Sequence, residues 1–137
     1  VIYMLTEEGL RSVFETAHEH VRPGGVMLVY VEATPERFEQ NATRAKTRSS
    51  GEVDLVYVEN SYDPDPSDTT YETTFVYLIR RNGELQIESD RHVCGIFPLD
   101  TWRSLLREVG FAVTETVFEH SETPAGKREP MFVCSRQ

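Results

Sequence analysis

Several residues of this chain have side chains able to move a proton or hold a charge. His92 is the first, because a histidine ordinarily titrates near neutrality and can take or give a proton at physiological pH. Glu32 is the second. It directly follows the unbroken apolar run Val26-Met27-Leu28-Val29-Tyr30-Val31. Ligands of open α/β sheets sit outside the carboxyl ends of the strands, so a carboxylate there can orient a polar acceptor or an ammonium group. A solvated loop glutamate is the alternative. His18 and His20 lie two apart in a helical pattern and face different directions, which argues against a shared metal. The acidic segment Asp63-Pro64-Asp65-Pro66-Ser67-Asp68 lacks the glycine and the terminal glutamate of a calcium loop and reads as a solvated turn. Arg44, Lys46 and Arg48 read as a basic surface stretch.

The elements that must position these groups follow from periodicity. Leu10, Val13, Phe14, Ala17 and Val21 recur at helical spacing. Thr6 is a good N-cap, and Glu7 and Glu8 place negative charge where the helix dipole favours it. The spacing predicts a helix over 7–20, stopped by Arg22-Pro23-Gly24-Gly25. The run 26–31 has no polar face and predicts a strand covered on both sides, as half of a parallel α/β unit. Residues 35–38 suggest a short helix started by Pro35, and 42–50 a mobile, polar loop. Three strand-like runs follow at 53–60, 71–80 and 84–93. Asn82-Gly83, between the last two, is a strong hairpin signal. A three-stranded antiparallel meander over 52–94 is therefore expected, inserted between two α/β parts of a single domain spanning 1–137. Pro98 opens a second helix whose buried stripe is Trp102, Leu105, Leu106 and Val109, closed by Gly110. Strands at 111–118 and 131–135 are expected beyond it, joined by a polar loop with Pro124 and Gly126.

Two motifs resemble class I S-adenosylmethionine-dependent methyltransferases of the small-molecule type. The first is the helix, the turn Val21-Arg22-Pro23-Gly24-Gly25 and the apolar strand after it. The second is His92-Val93-Cys94-Gly95-Ile96-Phe97, followed by a helix that ends in Gly110-Phe111. They occur in the family's order and cover most of the chain. The resemblance implies the C-terminal half of a Rossmann-like methyltransferase sheet carrying the inserted meander. It implies methyl transfer from S-adenosylmethionine to N or O of a small metabolite by the full-length protein. His92 then falls on the family's His-x-x-Gly-x-Phe pattern as the candidate base. A base is needed when the acceptor is a protonated amine or a hydroxyl. Residues 1–5 match the segment near the acceptor, which makes Tyr3 and Met4 candidate substrate-binding residues; a histidine stands at the position of Met4 in amino-sugar methyltransferases.

The family's glycine-rich donor loop and its strand-end acid are not in this sequence, and the run opens without a strand ahead of the first helix. The chain therefore reads as the back half of a larger fold, not expected to bind the donor well or to be active by itself. The alternative is a non-catalytic module that presents its antiparallel sheet to a second copy, as a homodimer, or to another subunit. The formal net charge of −9 argues against a nucleic-acid partner. No run approaches the roughly 18 apolar residues of a membrane span, and no secretory signal is visible. Cys94 and Cys134, in apolar contexts, read as buried free thiols in a reducing cytoplasm.

Overall fold

A computed structural model describes residues 1–118 and 129–137; the expected polar loop with Pro124 and Gly126 lies outside the described residues. Helix α1 (Glu7–His20) starts where the sequence places it. The Thr6 hydroxyl accepts from the Gly9 amide at 3.1 Å, and Leu10 and Phe14 form its buried stripe. Its last turn is held from across the fold. The Arg136 guanidinium donates to the backbone carbonyls of His18, Glu19 and Val21 at 2.6, 3.2 and 2.8 Å. Those carbonyls have no partner within the helix, so one arginine satisfies the helix end. Gly24 takes φ +76° in the turn that follows, and its amide donates to the Arg136 carbonyl at 2.7 Å.

Strand β1 (Val26–Tyr30) pairs antiparallel with β7 (Glu129–Arg136), which pairs with β6 (Phe111–Phe118). Helix α2 (Leu99–Glu108) precedes β6. Leu10, Phe14, Trp102, Leu105 and Leu106 pack with Val29, Phe132 and Cys134 into the main core. The expectation that 26–31 is covered on both sides is not met. Val29 and Val31 are buried, whereas Val26, Leu28 and Tyr30 are 57, 62 and 46% exposed. Helices cover only one face of the sheet, and β1 has no strand on its second edge among the described residues.

The antiparallel insertion is larger than the sequence indicates. Residues 42–50 are not a loop: Ala42–Ser50 forms strand β2, paired along its length with β3 (Val53–Tyr62). Only one turn of 3-10 helix, Pro35–Arg37, precedes it. Strands β4 (Thr70–Arg81) and β5 (Glu84–Gly95) complete a four-stranded meander in the order β2-β3-β4-β5. Asn82 and Gly83, at φ 51° and 85°, form the hairpin turn between them, the backbone pattern of a two-residue β-hairpin. A small second core of Tyr71, Cys94 and Ile96, with Ile2, Ala33 and Phe38 against it, lies at the base of this sheet. Both cysteines are free and buried. Among the described residues no helix is long and apolar enough to cross a membrane.

Candidate functional site

The register of the meander decides which side chains can meet. Ser61, Thr73 and His92 stand opposite one another across β3, β4 and β5, and Glu59, Phe75 and Asp90 form the next row. Opposed residues share a face, and so do residues two apart on one strand. This face forms the wall of a cleft at the base of the sheet. A cavity of about 200 Å³ is bounded by Tyr3, Glu32, Glu59, Phe75, His92 and neighbouring side chains. A second, of about 90 Å³, adjoins it and is lined by Arg37, Phe38, Arg44 and Ser61 among others; Glu32, Glu59 and Tyr71 line both.

His92 sits at the centre of a hydrogen-bonded row. Its Nδ1 lies 2.5 Å from the Tyr3 hydroxyl, and its Nε2 lies 2.9 Å from Asp90 Oδ2. The Phe75 ring meets the imidazole edge-on at 5.2 Å between centroids. The hydrogen bond from His92, with another from the Arg91 amide, holds the Asp90 carboxyl below the usual carboxylate range. Deeper in the cleft, burial pushes the Tyr71 phenol and the Cys94 thiol up, so both stay protonated near neutrality. Cys94 is therefore an inert wall rather than a nucleophile.

Tyr3 reaches His92 because residues 1–5 dock on the end of β5. The Gly95 amide donates to the Ile2 carbonyl at 2.7 Å, and the Thr69 hydroxyl donates to the Leu5 carbonyl at 2.6 Å. A Cβ on Gly95 would lie 1.9 Å from the Met4 carbonyl oxygen. The glycine of the His-x-x-Gly-x-Phe motif thus admits the backbone of the segment that carries Tyr3.

Of the four site residues expected from the sequence, the structure gathers Tyr3, Glu32 and His92 around one cleft. The side chain of Met4 turns away and packs against the main core. The polar cleft residues not expected from the sequence include Glu59 and Tyr71, and Asp90 joins them through its bond to His92. Two of them carry a signal in strand alternation. Asp90 lies two before His92 on one strand, and Glu59 is the acid on the strand face it shares with Val53, Leu55 and Tyr57. Arg44, Lys46 and Arg48, expected in a loop, lie on β2, with Arg44 opposite Glu59. Among the described residues no group of His, Cys, Asp and Glu side chains is placed to hold a metal ion.

The cleft gathers two carboxylates, two phenols and an imidazole around a cavity large enough for a few heavy atoms. S-adenosylmethionine does not fit the described residues in the same way. The carboxyl end of β1 runs into Glu32-Ala33-Thr34-Pro35, with no glycine for close backbone approach. Gly24 and Gly25 lie at the opposite end of that strand.

The fold is similar to about half of each of several solved S-adenosylmethionine-dependent methyltransferases. DesVI from Streptomyces venezuelae superposes with a TM-score of 0.80 at 21% identity, over 98% of this chain and 54% of that one. The sugar N-methyltransferase KedS8 from a Streptoalloteichus species matches with a TM-score of 0.79 at 17% identity, over 99% and 52%. CalS10 from Micromonospora echinaspora, an amino pentose methyltransferase of calicheamicin biosynthesis solved with S-adenosylmethionine bound, matches with a TM-score of 0.77 at 17% identity, over 96% and 52%. The chain spans about half the length of these solved structures. No protein-family model and no curated protein matches the sequence.

Proposed function

We propose that this chain forms the acceptor side of a methyltransferase that uses S-adenosylmethionine and methylates N or O of a small metabolite, with nitrogen favoured. The supporting observation is the cleft itself, where His92, hydrogen-bonded on both ring nitrogens, shares a cavity with Glu32 and Glu59. Paired carboxylates attract a cationic amine, and a histidine-centred row accepts the proton that the amine must lose before its lone pair is free. Tyr3 and Glu32 hold the acceptor in this reading, and His92 is the proton acceptor. The names of KedS8 and CalS10 as methyltransferases of a sugar nitrogen and of an amino pentose agree with a nitrogen acceptor. The donor belongs to residues outside those described, in a protein we place in the cytoplasm.

Two measurements test this. Backbone amide signals near Glu59 and His92 are expected to shift on adding glucosamine and to stay still on adding glucose. Equal response to both, or to neither, rejects the amine pocket. Joined to the sequence that precedes it in its reading frame, the chain is expected to bind S-adenosylmethionine in calorimetry. No binding rejects the methyltransferase reading.

A homodimer is the second reading, favoured by charge on one face of the meander. Arg44, Lys46 and Arg48 line the β2 edge of the cleft-bearing face, and Glu84, Glu88 and Asp90 line its β5 edge. Tyr57, Phe75, Tyr77 and Ile79 fill the middle. Such a face is self-complementary under two-fold rotation, with basic edge against acidic edge. Sedimentation velocity is expected to show a dimer that the double variant Lys46→Glu, Arg48→Glu abolishes. A monomer at all concentrations rejects it.

A further inference from the structure

The row through His92 leaves the imidazole without a free nitrogen. Nε2 is taken by Asp90 and Nδ1 by the Tyr3 hydroxyl. In the neutral ring, Nε2–H donates to the carboxylate and Nδ1 accepts from the phenol. The polar atom presented to an incoming acceptor is then the Tyr3 oxygen, which keeps a second lone pair. Tyr3 is also 54% exposed beside the cavity.

We propose that Tyr3 is the residue that touches the acceptor, relaying its proton to His92, while Asp90 holds the imidazolium that results. This rests on the reading of the cleft as an amine pocket. An N–H bond of the acceptor ammonium breaks and its proton bonds to the Tyr3 oxygen. The Tyr3 O–H bond breaks as its own proton bonds to Nδ1 of His92. The electron pair of the broken N–H bond stays on the acceptor nitrogen as the nucleophilic lone pair. The phenol is regenerated, and the positive charge moves from acceptor to imidazole, where it meets the Asp90 carboxylate. Asp90 acts through His92 and is a positioning residue. Gly95 has a similar part, since only a residue without Cβ lets the Met4 backbone bring Tyr3 over β5.

The groups that surround His92 are Tyr3 from the N-terminal segment, Glu32 beyond β1, Glu59 on β3, Tyr71, Thr73 and Phe75 on β4, and Asp90 and Cys94 on β5. Arg91 lies on the opposite face, paired with Glu72.

Nitrogen-15 NMR of the histidine side chains tests the relay in the 137-residue chain. Neutral His92 is expected as the Nε2–H tautomer. Tyr3→Phe is expected to shift the His92 Nδ1 signal, because the bond it accepts from the phenol is lost, and Asp90→Asn to shift the Nε2 signal, because the carboxylate that Nε2–H donates to is lost. An Nδ1–H tautomer overturns the relay, and so does an unmoved Nδ1 signal in Tyr3→Phe whose amide spectrum shows a native fold. Glucosamine separates the two readings. If it shifts the Glu59 amide equally in both proteins and the His92 Nδ1 signal is the same, the relay fails and the amine pocket stands. If it shifts nothing while the ring-nitrogen signals move as expected, the row is real and the amine pocket fails.

Discussion

Replacing Gly95 by alanine tests the link between the fold and the site. The added Cβ would lie 1.9 Å from the Met4 carbonyl oxygen and 3.0 Å from its carbon. Both are backbone atoms, so no side chain can swing aside. Gly95 has no positive φ, so alanine is not strained in the strand itself and the whole cost falls on the contact. Relief requires residues 1–5 to retreat by at least about 1 Å, beyond the reach of the 2.7 Å bond from the Gly95 amide to Ile2. That bond and the one from Thr69 to Leu5 contribute about 1 kcal/mol each. Crowding a packed contact costs about 1–3 kcal/mol. The segment recovers roughly 1 kcal/mol of backbone entropy per residue if it detaches, which caps the loss. A destabilisation of about 1–3 kcal/mol is therefore expected in urea unfolding. With it, the amide and imidazole signals of His92 are expected to change as Tyr3 leaves. Wild-type stability together with unchanged His92 signals refutes the docking of Tyr3 through Gly95.

Leu106→Ala opens a cavity in the main core at a site of 0% exposure and is expected to cost about 2–5 kcal/mol in urea unfolding. Arg136→Ala strips the partner from three carbonyls at the end of α1; a loss of about 1–3 kcal/mol and faster hydrogen exchange in the last turn of α1 are expected. Burial pushes the Cys134 thiol up from 9.0 to about 11. The folded state favours the neutral thiol, so this contribution is complete below pH 9 and is lost as pH rises from about 9 to about 11, by up to roughly 2–3 kcal/mol. The alkaline decline in the urea midpoint is expected to be shallower in Cys134→Ala than in wild type.

The helices were legible because their signals are local. The 3.6-residue spacing of Leu10 and Phe14, and of Trp102, Leu105 and Leu106, with Thr6 and Pro98 at the starts, needs no knowledge of the rest of the chain. The Asn82-Gly83 hairpin is local in the same sense. Strand β2 was not legible, because Ala42-Thr43-Arg44-Ala45-Lys46-Thr47-Arg48-Ser49-Ser50 has no apolar face. It is an edge strand held by its ladder with β3, and backbone pairing leaves little trace in side-chain pattern. Charged side chains on an edge also discourage indiscriminate pairing, and they mimic a loop in composition. The run 26–31 misled in the opposite way. Its uniform apolarity signals two faces able to be buried, and the helices of this chain cover one.

The site was half legible for the same reason. Glu32 follows from its place after an apolar strand, and His92 from its motif. Glu59 and Asp90 carry only the signal of strand alternation, and the register of the meander is needed to bring them and Tyr71 to one cleft. That register explains how the labour divides. Among the described residues no strand of the core sheet lines the larger cavity, and Glu32 reaches it from the segment that follows β1. Glu59, Tyr71, Thr73, Phe75, His92 and Cys94 all come from β3, β4 and β5, and Tyr3 from a segment docked on β5. The polar lining of the cleft thus comes almost wholly from the inserted sheet, whereas the larger buried cluster lies separately, around Leu10, Phe14 and Leu106. Substitutions on the cleft face of β3–β5 leave that cluster untouched, because the two cores share no buried residue. The half-buried cleft positions Glu59, Phe75 and His92 can therefore change without disturbing the main core, whereas Tyr71, Thr73 and Cys94 are buried and Tyr71 and Cys94 build the second core. Gly95 is a further constraint, since at that position the strand carrying His92 and the backbone carrying Tyr3 occupy adjacent space.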